Sequence, residues 1–212
     1  MILQHMYLAA LWVLYCVLHS LFAANWWKSH MSKLFGRSFK FYRFYYSVFA
    51  TFSLFLLFYF LVTIDSPQMF EVSVFSRFAA SIGGLAGIIV MLACMRKYFS
   101  VVTGVEAFWQ EKRSAIVLQT GGLHSYTRHP LYFGTLVFIW CLYLFFPSLS
   151  NFISCCMISV YTLVGIYFEE RKLVIEFGDV YKNYARNVPM LIPRLFTRRS
   201  KLRHSFPETI RV

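Results

Sequence analysis

The chain has 212 residues, of which 58% are hydrophobic, 20% aromatic and only 14% charged. A soluble domain carries about 25% charged and about 45–50% apolar residues, and here the apolar ones gather in blocks approaching the roughly 20 residues a membrane-spanning helix needs. A soluble secreted domain, a coiled coil and a disordered chain are thereby excluded, and the net charge of +12 reads first as the basic bias of cytoplasmic loops rather than as a nucleic-acid footprint.

Five spans are expected, taken in chain order. The first runs from about Met6 to Ala24 and reads as a retained helix, because no basic leader precedes it and no small-residue cleavage site follows. The second, about Tyr45 to Ile64, is rich in Phe and Leu, and its aromatic excess reads as lipid-facing or packing material. The third, about Phe78 to Met95, holds Gly83, Gly84 and Gly87, small residues that let helices approach closely. The fourth and fifth, about Tyr132 to Phe146 and Leu149 to Phe168, are separated only by Pro147 and Ser148 and must form an antiparallel hairpin. No strand pattern is evident. The five cysteines, Cys16, Cys94, Cys141, Cys155 and Cys156, fall in or beside apolar blocks and form no redox or metal motif.

Loop charges orient these spans. The first loop carries Lys28, Lys33, Arg37, Lys40 and Arg43 with no acid; the second is slightly acidic; the third is basic; the fourth is uncharged; and the segment from Glu169 onward is again basic. That alternation places the amino terminus outside and the third loop and carboxyl tail in the cytoplasm. Three regions follow: residues 1–120 as an amino-terminal membrane region, 121–196 as a functional core, and 197–212 as a basic tail suited to solvent or anionic lipid.

The core holds the candidate chemistry. Arg128 and His129 stand beside the positive end of the fourth span, which begins at Pro130, so a bound anion is required there. Lipid phosphate could supply it, making Arg128 a simple anchor. At the far end of the hairpin Glu169 and Glu170 return to the same face, next to the negative end of the fifth span. Beyond them Phe177, Tyr181 and Tyr184 recur at helical spacing, interrupted mildly by Gly178, and Pro189 to Pro193 forms an apolar strap. A short cytoplasmic amphipathic helix with such a strap would close a pocket at the hairpin mouth, or else rest on the bilayer. His124 and His129 lack a third metal ligand, and no metal site is expected. Carboxylate, Arg or His, and tyrosines together suit a zwitterionic cofactor that bears a cation and an aromatic base. His19, inside the first span, is either a functional group or a neutral hydrogen-bonded one.

The stretches GGLHSYTRHPLYFG and FEERKLVIEFGDVYKNYARNVPMLIP resemble the isoprenylcysteine carboxyl methyltransferase superfamily. The nearest branch is the small bacterial one of methanethiol S-methyltransferases and NnrU-type membrane proteins, which LHSLFA (from Leu18) and FYRFYY (from Phe41) also resemble. The resemblance implies an all-α polytopic fold of about five transmembrane helices, S-adenosyl-L-methionine as cofactor, and a small or lipophilic acceptor entering from the bilayer. It implies Tyr126, Arg128, His129, Pro130, Tyr132, Glu169, Tyr181, Tyr184 and Pro189 at the cofactor, and Glu170, Glu169, His129 and Arg186 in catalysis, with Glu170 the more important carboxylate. One departure stands out: the family commonly places an arginine directly before Val-Pro, where this chain has Asn187, with Arg186 one residue earlier.

The expected function is therefore methyl transfer to a small or lipophilic thiol, methanethiol first, in a multi-pass protein of the bacterial inner membrane. A carboxyl methyltransferase for a prenylcysteine-like acceptor, an NADPH-dependent membrane reductase, and a non-enzymatic NnrU-like subunit or transporter remain the alternatives. Membrane lipids are expected partners; nucleic acid is not.

Overall fold

A computed structural model describes residues 2–108, 117–194 and 209–211. Six helices follow in chain order among these residues: α1 (Ile2–Ala23), α2 (Asn25–Phe35), α3 (Tyr42–Thr63), α4 (Val74–Thr103), α5 (Pro130–Phe145) and α6 (Leu149–Asn187). In hydrocarbon no water satisfies a backbone N–H or C=O, so apolar runs of this length must close their hydrogen bonds within themselves, as helices do. Four helical stretches, Ile2–Ala23, Asn25–Thr63, Val74–Arg96 and Leu149–Asn187, are long and apolar enough to cross a membrane. The fold is that of an all-α polytopic membrane protein. The fourth expected span is the short one: α5 has 16 residues, about 24 Å of rise against a hydrocarbon core of about 30 Å.

Local signals fix several ends. Ser73 caps α4 by accepting a hydrogen bond from the Ser76 N–H at 3.1 Å. The same helix stops at Gly104, whose φ of 76° is left-handed, and a Cβ there would lie 2.7 Å from the Phe44 nitrogen. Pro130 opens α5, where its missing donor costs nothing.

Two compact units make up the chain. The first comprises Met1–Arg77, Tyr98–Arg113 and Tyr143–Ile158. Its centre is Trp12, 2% exposed, packed with Leu8, Leu57 and Ile64. The Trp12 indole N–H donates to Ser154 Oγ at 2.9 Å, and Ser154 passes its own hydrogen to the Ser150 carbonyl. Lipid tails are as apolar as leucine, so such interhelical hydrogen bonds and close packing, not hydrophobicity, hold spans together. At one end the turn between α5 and α6 is clasped by the preceding loop: Met69 N donates to the Pro147 carbonyl and Leu149 N to that of Pro67. Ser66 Oγ accepts from Ser150 N and is 2.9 Å from His5 Nε2.

The second unit comprises Phe78–Lys97, Ser114–Leu142 and Ser159–Val212. Here α4 and α5 nearly touch backbone to backbone. A Cβ added at Gly87 would sit 2.8 Å from the Gly134 carbonyl oxygen, and one at Gly134 would sit 2.9 Å from that of Gly87. Trp140 donates to Ser159 Oγ at 3.0 Å, joining α5 to α6. A second core gathers Leu118, Phe177, Tyr181, Tyr184 and Val188.

Three features depart from the sequence expectation. The first loop contains an eleven-residue helix, α2. A short antiparallel pair joins β1 (Val117–Gln119) to β2 (Thr209–Arg211), where no strand was expected. The fifth span does not stop at Phe168 but runs on as α6 until Gly178, whose φ of 55° and ψ of −130° break the helix sharply.

Candidate active site

The break at Gly178 builds the site. On an unbroken helix Glu170 and Tyr181 would stand about 16 Å apart along the axis. Instead the chain folds back, and the Tyr181 hydroxyl donates to Glu170 Oε1 at 2.6 Å. Only glycine adopts this combination of angles without strain. The returning turns also bring Tyr184 against the 3-10 turn Gly122–Ser125, where its hydroxyl donates to the His124 carbonyl at 2.6 Å.

Glu170 is the hub. Its Oε1 also accepts from His129 Nε2 at 2.7 Å, and Arg128 Nε lies 3.1 Å away. That last pair is an ion pair by distance rather than an aligned hydrogen bond, since the buried Nε–H has no hydrogen-bond partner among the described residues. Arg128 is held independently, Nη1 donating to the Ala185 carbonyl at 2.8 Å. The anion demanded by two basic groups at the start of α5 is thus a carboxylate of the protein. Because α6 continues past them, Glu169 and Glu170 do not face a helix end, and the dipole penalty expected from the sequence is absent.

Burial pushes the Glu170 carboxyl up, but the hydrogen bonds from His129 and Tyr181 and the Arg128 charge outweigh it and hold the group below its ordinary value. The Tyr181 hydroxyl moves well up, first through burial and then through the carboxylate it serves. Glu170 is thus held ionised and Tyr181 protonated at neutral pH. Glu169 differs. Its side chain is 44% exposed, its Oε2 lies 3.8 Å from His129 Nδ1, and it shares a hydrogen bond with Tyr132. The Tyr132 ring in turn lies 5.6 Å from that of His129. One imidazole therefore stands between two carboxylates of unequal exposure.

The strap closes along the segment before α5. Arg128 N donates to the Pro189 carbonyl at 2.9 Å, His129 N to that of Met190 at 3.2 Å, and Arg194 N to that of Tyr126 at 3.3 Å. Thr127, 2% exposed, lies 3.1 and 2.9 Å from the Met190 and Leu191 carbonyls through its hydroxyl. Of the sequence candidates, Arg128, His129, Tyr132, Glu169, Glu170 and Tyr181 come together around the hub. Tyr126, Pro189 and Tyr184 act in the closure, and Pro130 starts the helix. Arg186 is not brought in: it is exposed in the last turn of α6, where its charge acts on Asp179. Sequence reading missed Thr127 and the Ala185 and His124 carbonyls; a hydroxyl residue directly before Arg-His-Pro was the available signal for the first, while carbonyl roles leave none.

The chain is similar to curated proteins over part of its length. It is 36% identical over 107 residues to methanethiol S-methyltransferase 2 of Bradyrhizobium diazoefficiens, covering 50% of this chain and 38% of that protein. It is 34% identical over 90 residues to the methanethiol S-methyltransferase of Crocosphaera subtropica, covering 42% and 34%. With the protein-S-isoprenylcysteine O-methyltransferase of Schizosaccharomyces pombe it shares 40% identity over 81 residues, covering 36% and 33%. The chain thus spans only between a third and two-fifths of these relatives' lengths. No solved structure is significantly similar to it. The family described as NnrU protein matches residues 7–197, a stretch that takes in the membrane spans, the Glu170 hub and the closing strap together, and the chain belongs to that family.

Proposed function

We propose that the protein is a membrane methyltransferase that moves a methyl group from S-adenosyl-L-methionine to a small thiol, methanethiol being the first choice. The observation that carries this reading is the Arg128–His129–Glu170–Tyr181 cluster under a closed strap, in a chain related to named S-methyltransferases. The side chains suit the cofactor. Arg128, ion-paired with Glu170 through Nε and anchored on the Ala185 carbonyl through Nη1, brings a fixed cation to the site for a cofactor carboxylate. The half-exposed Glu169 suits an ammonium or sulfonium, and Tyr132 offers an aromatic face. When bound, S-adenosyl-L-methionine supplies a methyl already activated on a sulfonium.

The residues then have little covalent work. Glu170, held ionised and doubly hydrogen-bonded, fixes His129 and Tyr181 in place, and with them the floor of the site. A thiol is mostly protonated at pH 7: even a cysteine side chain, with a pKa near 8.5, is only about a few per cent thiolate, and a simple alkanethiol is less acidic still. The Glu169 Oε2–His129 Nδ1 pair is placed to take its proton. The strap excludes water and holds the acceptor in line, which is where most of the rate gain arises. The similarity to a prenylcysteine O-methyltransferase favours a second acceptor class, a lipophilic carboxylate.

The test is ligand binding. Purified protein in lipid nanodiscs is titrated with S-adenosylhomocysteine and with NADPH by calorimetry. Saturable binding of the first, weakened about tenfold or more by Arg128→Gln through loss of a charged hydrogen bond, is expected. Binding of NADPH instead, or of neither, overturns the proposal.

A further inference from the structure

Outside that cluster, the unit containing α1 and α3 holds a cavity of about 220 Å³ between these two helices. Its wall is almost wholly apolar, with Leu14, Leu18, Phe49 and Leu57 around the small Ala50, and His19 is a polar residue at one end. From Leu11 to His19 it runs about 12 Å along α1, close to the roughly 15 Å depth of hydrocarbon in one leaflet.

The His19 end is a built feature. Tyr46 donates from its hydroxyl to the His19 carbonyl at 3.1 Å, and Tyr42 one turn earlier donates to the Phe22 carbonyl at 2.9 Å. Phe22 is among the last residues of α1, whose carbonyls lack partners within the helix. A side-chain hydrogen bond joins Tyr42 to Trp27 of α2. The end of α1, the start of α2 and the start of α3 are therefore tied around the mouth of the groove. Leading away from that mouth are Lys28, Lys33, Arg37, Lys40 and Arg43 without one acid between them. The 3-10 turn Val105–Phe108 packs on Phe41 and Phe44 at this end through Phe108. Trp26 and Leu34 are exposed on α2 beside these cations, the arrangement of a helix lying at a headgroup boundary.

We infer that this groove and the basic segment above it form a binding site for one anionic glycerophospholipid. The cavity takes an acyl chain of single-leaflet length, and the basic segment takes the phosphate. A zwitterionic lipid fills the groove equally well but gains little from five cations, so the site selects on headgroup charge.

The test uses the full chain in detergent, incubated with equal phosphatidylglycerol and phosphatidylcholine of matched chains, with native mass spectrometry counting the lipid retained. Phosphatidylglycerol is expected to exceed phosphatidylcholine by about tenfold. The triple variant Lys33→Gln, Arg37→Gln, Lys40→Gln, all exposed positions, is expected to lose that preference while still retaining lipid. Ser53→Phe, which fills the groove, is expected to retain less of both, and Leu14→Trp provides the same obstruction from the exposed side should the first variant fold poorly. Equal retention of the two lipids by the unaltered protein, or an undiminished preference in the triple variant, overturns the inference.

Discussion

Replacing Tyr181 by Phe removes one oxygen from a side chain that is 1% exposed and leaves its packing with Phe177, Tyr184 and Val188 intact. What is lost is a 2.6 Å hydrogen bond to an ionised carboxylate, worth about 1.5–3 kcal/mol. The loss is pH-dependent, with a definite sign. Glu170 has its folded-state value depressed, so its contribution is fully present above the unfolded carboxyl value of about 4.3 and fades as pH falls through the lower folded value. Unfolding of the detergent-solubilised protein by denaturant, followed by circular dichroism, should therefore show Tyr181→Phe costing about 1.5–3 kcal/mol at pH 7 and less on moving into the acid range. In a Glu170→Gln background the same replacement should cost clearly less, because the charge it serves is gone. A cost under about 0.5 kcal/mol at pH 7, or one equal at both pH values and in both backgrounds, would refute the hub.

Gly178→Ala meets no atom within 4 Å, so its effect is purely conformational: a loss of about 1–3 kcal/mol from a positive φ that alanine resists, read by the same unfolding measurement. Gly87→Ala instead places a Cβ 2.8 Å from the Gly134 carbonyl oxygen and 2.9 Å from the Phe138 nitrogen. It should cost about 1–3 kcal/mol by overpacking, whereas Gly165→Ala, with open space around it, should change thermal stability little. Thr127→Val keeps the shape but leaves the Met190 and Leu191 carbonyls without its hydroxyl. Faster amide exchange in Val188 to Arg194 than in α5 is the expected result, with stability lower by about 1–3 kcal/mol.

Much of this architecture was legible in the sequence because two strong regularities carried it. Apolar runs of membrane length admit only helices, and a two-residue connection between the last two runs admits only a hairpin, which returns Glu169 and Glu170 to Arg128 and His129. The strap was legible as well, since Pro189 and Pro193 bracket an apolar extended stretch. What escaped was set by conformation or by backbone atoms. Gly178 in an otherwise periodic segment costs only about 1 kcal/mol in a helix, so its sequence signal is faint even though its angles bring Tyr181 onto Glu170. Arg186 was favoured for its nearness to Val188-Pro189, yet helical phase turns it outward toward Asp179. The strands β1 and β2 are three residues each and lie about ninety positions apart, too short for any periodicity to appear. Helix α2 escaped because its eleven residues, on average no more apolar than polar, lie in a basic loop too short and too charged to read as a span. Its Tyr42–Trp27 tie has no sequence signal.

The reading of the cluster as a methyl-transfer site is tested most directly by turnover. Purified protein in nanodiscs, given S-adenosyl-L-methionine labelled in its methyl group and methanethiol, should release labelled dimethyl sulfide into the headspace. Glu170→Gln and Arg128→Gln should each lower the rate by about tenfold or more, the kinetic equivalent of one lost charged hydrogen bond. Transfer from the same donor to a prenylcysteine analogue instead would keep the site and change its acceptor. An absence of labelled product with either acceptor, or a rate undiminished in both variants, would contradict the assignment.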